Sequence, residues 1–114
     1  MSKLVRYLIN KDKSYVPVWF MRQAGRYLPE FRKIRSDNPD FINLCFNSDL
    51  ASKITLQPID RYNLDAAIIF SDILLVPYAL RQKVNFGKIE GPIIPDFQFN
   101  NFINTTKKEF ISTL

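Results

Sequence analysis

The residues best suited to chemistry begin with two arginines in the first quarter of the chain. Arg22 and Arg26 follow an apolar run and stand four residues apart, with Gly25 between them. Guanidinium groups at this spacing can converge on one anion, and each can hold a carboxylate through two parallel hydrogen bonds. Gly25 has no side chain, so a ligand could approach the backbone there. A solvated basic surface is the alternative for this pair, and it is the interpretation that we favour for Arg32 and Arg35.

A carboxylate, Asp72, is the second candidate for a functional side chain. Asp72 comes two residues after the apolar run 66–70. If that run is a parallel strand, Asp72 lies beyond its carboxyl end, which is where α/β enzymes carry catalytic side chains. Alternatively, Ser71 or Asp72 caps a helix that starts at Ile73. The pattern alone leaves both roles open.

Composition excludes several kinds of site. The chain has 114 residues, no histidine and a single cysteine, Cys45. It therefore cannot supply several N or S ligands to a metal, a Ser-His-Asp triad, a Cys-His pair or a disulfide framework. The three glycines fit no Gly-x-Gly phosphate loop. A lone cysteine suits a reducing cytosol, which predicts a cytoplasmic protein.

Charge and hydropathy narrow the choice of partners. The net charge of +5 is compatible with a basic surface, with nucleic acid or with an anionic small molecule. No aromatic motif for stacking RNA bases accompanies the charge, so we predict no nucleic-acid partner. The sequence contains no run of about 18 apolar residues and does not begin like a secretory signal, so we predict no membrane partner.

Two apolar runs predict the strands that would position Arg22, Arg26 and Asp72. Residues 16–21 and 66–70 are both compact and apolar. Strands that are buried on both faces have this composition, which favours a parallel sheet. Because helices are predicted between the two runs, the order is strand, loop, helices, strand, which is the opening of an α/β protein.

Four helices are predicted before residue 66 from their apolar spacing and their first residues. They are placed at residues 3–9, from Pro29, over Phe41–Cys45 and from an N-cap at Ser48. Asn38-Pro39 should end the second of them, and Pro58 should kink or end the fourth.

The pattern weakens beyond Pro77. Val84 and Phe86 alternate with polar neighbours, which indicates a strand or hairpin arm, and Gly91-Pro92 indicates a turn. Residues 96–114 are rich in Phe and Asn but have poor periodicity, so no element is assigned to them.

Two blocks of sequence carry a specific resemblance to a known family. The first is Pro17–Phe31, PVWFMRQAGRYLPEF, and the second is Leu56-Gln57-Pro58 followed by Leu64–Leu74, LDAAIIFSDIL. In this order and spacing they resemble the two signatures of the uroporphyrinogen decarboxylase family. The resemblance divides the chain into residues 1–95, the N-terminal part of a family barrel, and an atypical tail, residues 96–114.

The resemblance implies a fold and an activity. The fold is α/β, the N-terminal portion of a (β/α)8 TIM barrel, incomplete in this chain. The activity is that of a carboxy-lyase, which removes four acetate carboxyl groups from uroporphyrinogen III as CO2 and gives coproporphyrinogen III in haem and porphyrin biosynthesis. The family needs no metal and no organic cofactor, and its members are usually cytoplasmic homodimers.

The resemblance also implies roles for individual residues. Asp72 matches the family's catalytic aspartate, which binds the substrate's pyrrole N–H groups and stabilises a cationic intermediate. Elementary chemistry agrees, because decarboxylation needs an electron sink, a protonated pyrrole can serve as one, and a fixed carboxylate stabilises its positive charge. A polycarboxylate substrate is also expected to meet arginines. The implied substrate-binding residues, besides Asp72, are Arg22, Gln23, Ala24, Gly25 and Arg26.

Three departures from the family bear on whether this chain acts alone. Arg81 stands where the family usually has glycine, residues 96–114 are atypical, and the absence of histidine removes a later site residue of the family. A barrel of this type needs about 250 residues and eight strands. We therefore expect a truncated or split enzyme, inactive alone and marginally stable or aggregation-prone without a complementing C-terminal fragment. The alternative is a non-catalytic remnant or a porphyrinogen-binding fragment.

Overall fold

The computed structural model describes residues 2–21, 23–87 and 91–114, and its contacts divide the chain into two units, Met1–Phe70 and Ser71–Leu114. The first unit contains helices α1 Lys3–Asn10, α2 Pro29–Asp37, α3 Phe41–Phe46 and α4 Ser48–Tyr62. The second contains α5 Leu75–Ala79, strands β1 Asn85–Gly87 and β2 Gly91–Ile93, and helices α6 Phe99–Asn104 and α7 Lys107–Thr113. In the described ranges, no helix has both the length and the apolar character needed to cross a membrane.

Helices of the first unit begin where side chains can bond to the free backbone N–H groups of a first turn. Ser2 Oγ accepts from Val5 N at 3.3 Å, and Asp40 Oδ1 accepts from Asn43 N at 3.0 Å. Proline occupies the first turn of α2, where its missing N–H withdraws no helical hydrogen bond. The confirmed predictions are the helices at residues 3–9, from Pro29 and over Phe41–Cys45.

Helix α4 differs from its prediction at the N-cap, and at Pro58 it excludes one of the two predicted outcomes, an end of the helix. Its cap is Asn47, whose Oδ1 accepts from Leu50 N at 3.0 Å, and Ser48 is already helical. Asn and Ser are comparable caps, so the sequence did not rank these neighbours. The helix also continues past Pro58 to Tyr62, so the proline does not end it. Pro58 is fully buried, and the packing of its ring offsets the backbone hydrogen bond that it cannot make.

A small apolar core holds the first unit together. Its buried members are Leu28, Phe31, Leu44 and Ile54. The ring of Phe70 packs against this cluster, with its centroid 5.7 Å from that of Phe31 and 6.1 Å from that of Phe41, edge to face in both cases. Such aromatic pairs add about 0.5–1.5 kcal/mol to the burial of their area. The core therefore anchors the last residue of the segment that leads to Asp72.

The two segments predicted as buried parallel strands, residues 16–21 and 66–70, form no strands, and several of their side chains are exposed. Met21 and Ile69 are 83% and 77% exposed. A parallel strand becomes buried only when neighbouring strands and covering helices enclose it. The described residues provide no such neighbours, so the apolar pattern indicates surroundings that this part of the chain does not form.

The parallel sheet of the predicted α/β fold is not formed by the described residues, for the same reason. The described structure is mostly helical, and the sheet found in it is the antiparallel pair β1–β2, with Asn85 opposite Ile93. Neither a parallel sheet nor a barrel occurs in the described ranges. The strand predicted around Val84 and Phe86 is confirmed as β1, whereas Gly91-Pro92 belongs to β2 and not to a turn.

Residues 96–114, which the sequence left unassigned, form α6 and α7. Helix α7 begins with a capping box, in which Thr106 Oγ1 accepts from Glu109 N at 3.2 Å and Glu109 Oε2 accepts from Thr106 N at 2.8 Å. The hydrogen bonds that Glu109 Oε2 accepts from Thr106 N and, at 2.7 Å, from Thr106 Oγ1 lower the pKa of the Glu109 carboxyl. The spacing Thr-x-x-Glu is a recognised helix start, and it was the available signal for this helix.

A doubly hydrogen-bonded ion pair joins α2 to α4. Arg61 Nε and Nη2 donate to Glu30 Oε1 and Oε2, both at 2.8 Å. These bonds lower the pKa of the Glu30 carboxyl and raise the pKa of the Arg61 guanidinium. Both side chains are partly exposed, so solvent weakens the attraction.

We expect this ion pair to make the first unit less stable in acid. Because the folded-state pKa of Glu30 is lowered, the stabilisation is present above the ordinary glutamate pKa of about 4.3 and is lost as the pH falls through the folded-state pKa. Glu30→Gln should therefore flatten the acid dependence of the free energy of unfolding. Urea denaturation across the acid range measures it, with Asp49→Asn as a control carboxylate on α4. Identical slopes for Glu30→Gln and the unsubstituted protein would contradict the prediction.

Candidate functional site

The arginine turn, defined as residues 23–26, precedes α2 in the first unit, and Arg22 lies outside the described residues. Arg26 is exposed, and its guanidinium has no hydrogen bond or ion pair with any residue that the structure describes. Glu30, the nearest acid along the chain, is held by Arg61. Arg26 can therefore take an anionic ligand without first breaking a described contact.

Arg32 supports this turn from α2, although the sequence interpretation placed it on a solvated surface. Its Nη1 donates to the carbonyl oxygen of Arg26 at 2.8 Å and to that of Tyr27 at 3.3 Å. Arg32 is exposed as expected, but its side chain is engaged. Its position one turn into a helix was the available signal, because a long side chain there can reach back over the preceding loop.

Ala24 and Gly25 occupy the middle of the turn. Ala24 packs against the core, and Leu28 N donates to Gly25 O at 3.0 Å, which closes the turn. A Cβ atom added at Gly25 would lie 3.7 and 3.8 Å from two ring carbons of Tyr27, which is ordinary contact. Packing within the chain therefore does not require glycine here, and an open approach to the backbone is preserved.

The side chain of Gln23 is buried and fully engaged with a distant part of the chain. Its Nε2 donates to Ala66 O at 3.2 Å, and its Oε1 accepts from Ile68 N at 3.1 Å. Tyr27 donates its hydroxyl to the backbone carbonyl of Gln23. The structure thus brings the arginine turn together with residues 66–68, a contact that sequence spacing did not indicate. Substrate binding by Gln23 stays a prediction.

Asp72 belongs to the second unit and is half-buried. Its Oδ1 accepts from Leu74 N at 2.8 Å, and its backbone carbonyl accepts from Leu75 N at 3.1 Å. Helix α5 begins at Leu75 and not at Ile73, so Asp72 holds the turn before the helix instead of capping it directly. Within the described ranges Oδ2 accepts no hydrogen bond, so this turn leaves it available for a ligand. The catalytic role of Asp72 stays a prediction.

Thr55 fixes the chain just before Asp72, and the sequence analysis missed it. Its Oγ1 accepts from Phe70 N at 2.8 Å and donates to Ala51 O at 2.7 Å. The partners lie 15 residues apart along the chain, so no local spacing signals the contact. The hydroxyl and the core packing of Phe70 together hold the end of the first unit.

The cavity beside Val18 in the first unit is unsuited to a polycarboxylate. It measures about 470 Å³, and its lining includes Phe20, Tyr27, Tyr62 and Asp65. The charged residue among these is an acid, and Asp65 Oδ2 already accepts from Val18 N at 2.9 Å. Among the described residues no three His, Cys, Asp or Glu side chains gather, so no candidate metal centre is found there.

Arg81 directs its side chain outward in the second unit. It is exposed, and its Nη2 donates to Glu109 Oε1 of α7 at 2.5 Å. Its backbone adopts a φ of 59°, in the left-handed region where residues with a Cβ atom are uncommon. The departure from the family at this position is therefore accommodated within the unit.

Similarity to known proteins points to one family. The family model described as uroporphyrinogen decarboxylase (URO-D) matches residues 1–109. The chain is similar to the uroporphyrinogen decarboxylases of Rickettsia rickettsii (strain Sheila Smith), 54% identical over 89 residues, and Psychromonas ingrahamii, 52% identical over 91 residues. These matches cover 78% and 80% of this chain but 25% and 26% of the relatives, so it spans about a quarter of their length. The chain belongs to the uroporphyrinogen decarboxylase family.

Proposed function

We propose that this chain supplies the arginine turn and the catalytic aspartate of a uroporphyrinogen decarboxylase. That enzyme is a carboxy-lyase, which converts uroporphyrinogen III to coproporphyrinogen III and releases four CO2. The observation that carries the proposal is the exposed guanidinium of Arg26, without a described partner, on a turn that Arg32 and Gln23 hold in place. Family membership supports the choice of substrate.

The proposed chemistry divides between the two kinds of site residue. Arg22 and Arg26 bind substrate carboxylates, and Ala24 and Gly25 let the tetrapyrrole approach the backbone. Asp72 faces the pyrrole nitrogens and stabilises the positive charge that the ring acquires on protonation. The cationic ring then accepts the electron pair of the breaking carbon–carbon bond as CO2 leaves, and becomes neutral again. Because that charge is larger in the transition state than in the bound substrate, the interaction accelerates the reaction.

We also propose that segments 16–21 and 66–70 pair with further strands of a (β/α)8 barrel, whether these come from the same polypeptide or from a complementing chain. Support comes from the exposure of large apolar side chains in both segments, such as Val16, Phe20 and Ile69, since burying them against further strands would stabilise the assembly. A cytoplasmic homodimer is part of the same proposal and rests on family membership alone.

A hybrid enzyme tests the proposal. Residues 1–80 of this chain replace the matching residues of the Rickettsia rickettsii relative, and coproporphyrinogen formation is measured. We expect the hybrid to be active and the 114-residue chain alone to be inactive. A hybrid that is folded by circular dichroism but inactive contradicts the proposed activity, whereas activity of the isolated chain contradicts the need for further strands.

A porphyrinogen-binding chain without turnover is the second candidate, favoured by the exposed guanidinium of Arg26, which is available to an anionic ligand. Titration of the 114-residue chain with uroporphyrin, followed by fluorescence, tests the binding that both candidates share. Arg26→Gln should weaken binding about tenfold or more, because a charged hydrogen bond is worth about 1.5–3 kcal/mol. The control is Lys53→Gln, which also removes one positive charge but from an exposed position on α4, and it should leave binding unchanged. Binding together with an inactive hybrid favours this second candidate.

A further inference from the structure

The side-chain amide of Gln23 does what a neighbouring strand would do. It is 5% exposed, and it offers a donor to Ala66 O and an acceptor to Ile68 N, at 3.2 and 3.1 Å. Paired strands satisfy the same two backbone groups in the same way. An amide that is buried and bonded at both ends has little capacity left for a ligand.

Gln23 stands within the arginine motif of the sequence. It follows Arg22 directly and begins the arginine turn, which ends at Arg26, and Ile68 lies four residues before Asp72 along the chain. The hydroxyl of Tyr27 also holds the Gln23 backbone carbonyl. A shift of the amide would therefore move the arginine turn relative to residues 66–68.

We infer that Gln23 is a positioning residue of the decarboxylase, which holds residues 66–68 against the arginine turn and does not contact the substrate. This inference rests on the proposed function. A substrate-binding glutamine would direct its amide to the ligand. The amide of Gln23 instead binds the backbone of Ala66 and Ile68. Loss of the amide should therefore disturb Ile68 first and catalysis as a consequence.

The first experiment measures amide hydrogen exchange by NMR in the 114-residue chain. Gln23→Met keeps the length of the side chain but removes both bonds, and Ile68 N–H should exchange about tenfold faster or more, since each bond is worth about 0.5–1.5 kcal/mol. Gln82→Met is the matched control, because Gln82 is also 5% exposed and its amide binds both backbone groups of Gln98 at 3.2 Å. Unchanged Ile68 exchange in Gln23→Met overturns the inference.

The second experiment measures kinetics in the hybrid enzyme. Gln23→Met should lower kcat about tenfold to a hundredfold with KM changed less than about threefold, because a substrate that the arginines still bind but hold out of alignment reacts more slowly. Gln23→Glu, which keeps the acceptor for Ile68 N, should recover part of the lost rate. A rise in KM with unchanged kcat indicates direct substrate contact and overturns the inference. The unsubstituted hybrid is assayed first. If it is inactive, the proposed function is contradicted, and this outcome is distinct from a failure of the inference about Gln23.

Discussion

Asp72→Asn is expected to lower the rate of coproporphyrinogen formation by the hybrid enzyme about 10²–10³-fold. The physical reason is electrostatic: removing one preorganised group that stabilises transition-state charge typically costs this much. In the proposed reaction Asp72 is the group that stabilises the cationic pyrrole. The effect should appear mainly in kcat, because the interaction is made most strongly in the transition state.

The substitution separates the two roles that the sequence left open for Asp72. The amide introduced by Asp72→Asn still offers a carbonyl oxygen to Leu74 N, so the turn before α5 can persist. What disappears is the negative charge of the carboxylate. A large loss of rate with an unchanged circular dichroism spectrum therefore reports chemistry and not folding.

The control for this measurement is Asp60→Asn, which makes the same change of charge on the exposed surface of α4. Its rate should stay within about twofold of that of the unsubstituted hybrid, since surface substitutions of this kind usually have small effects. If Asp72→Asn also stays within that range, Asp72 holds the turn and takes no part in catalysis. The proposed mechanism then loses its central group.

The second large effect is expected on stability. Phe31→Ala should lower the free energy of unfolding of the first unit by about 3–5 kcal/mol. Phe31 is 5% exposed, belongs to the buried cluster with Leu28 and Leu44, and packs edge to face against Phe70. Its removal leaves a cavity and also frees the ring that anchors the end of segment 66–70.

Urea denaturation of the 114-residue chain, followed by circular dichroism, measures this loss. Phe31→Leu is the matched control, because it keeps most of the buried volume and should cost less than half as much. A unit of about 70 residues has only a few kcal/mol of stability, so Phe31→Ala could remove its cooperative transition altogether. Equal midpoints for Phe31→Ala and the unsubstituted chain would show that this cluster is not the core that stabilises the unit.

Local signals in the sequence predicted the helices well where several of them coincided. Helices α1 to α3 have an apolar spacing together with a capping side chain or an early proline, and each was placed within a residue or two. Helix α7 was missed because its capping box between Thr106 and Glu109 lies in a stretch with poor apolar periodicity. The cap of α4 was misplaced by one residue because Asn47 and Ser48 are equally suitable.

Contacts between distant residues account for what the sequence could not predict. The apolar runs 16–21 and 66–70 have the composition of enclosed strands, and composition does not state whether the enclosing residues are present. The arginines and Asp72 were predicted as site residues from their types, because a guanidinium group binds anions and a carboxylate stabilises positive charge. Gln23 entered as part of a motif, and its partners, 43 and 45 residues away, became visible only in three dimensions.

The left-handed backbone at Arg81 depends on residues that follow it in the second unit. This conformation costs a residue with a Cβ atom about 1–2 kcal/mol. Asn101 Nδ2 of α6 donates to Arg81 O at 3.1 Å, and the Arg81 guanidinium binds Glu109 of α7. Glycine would adopt the same backbone without strain and without a partner. Arg81 and α7 are therefore a co-dependent pair: in any recombined chain they should be transferred together or replaced together. A junction after Leu80 respects that dependence, because it leaves out both Arg81 and α7 of this chain.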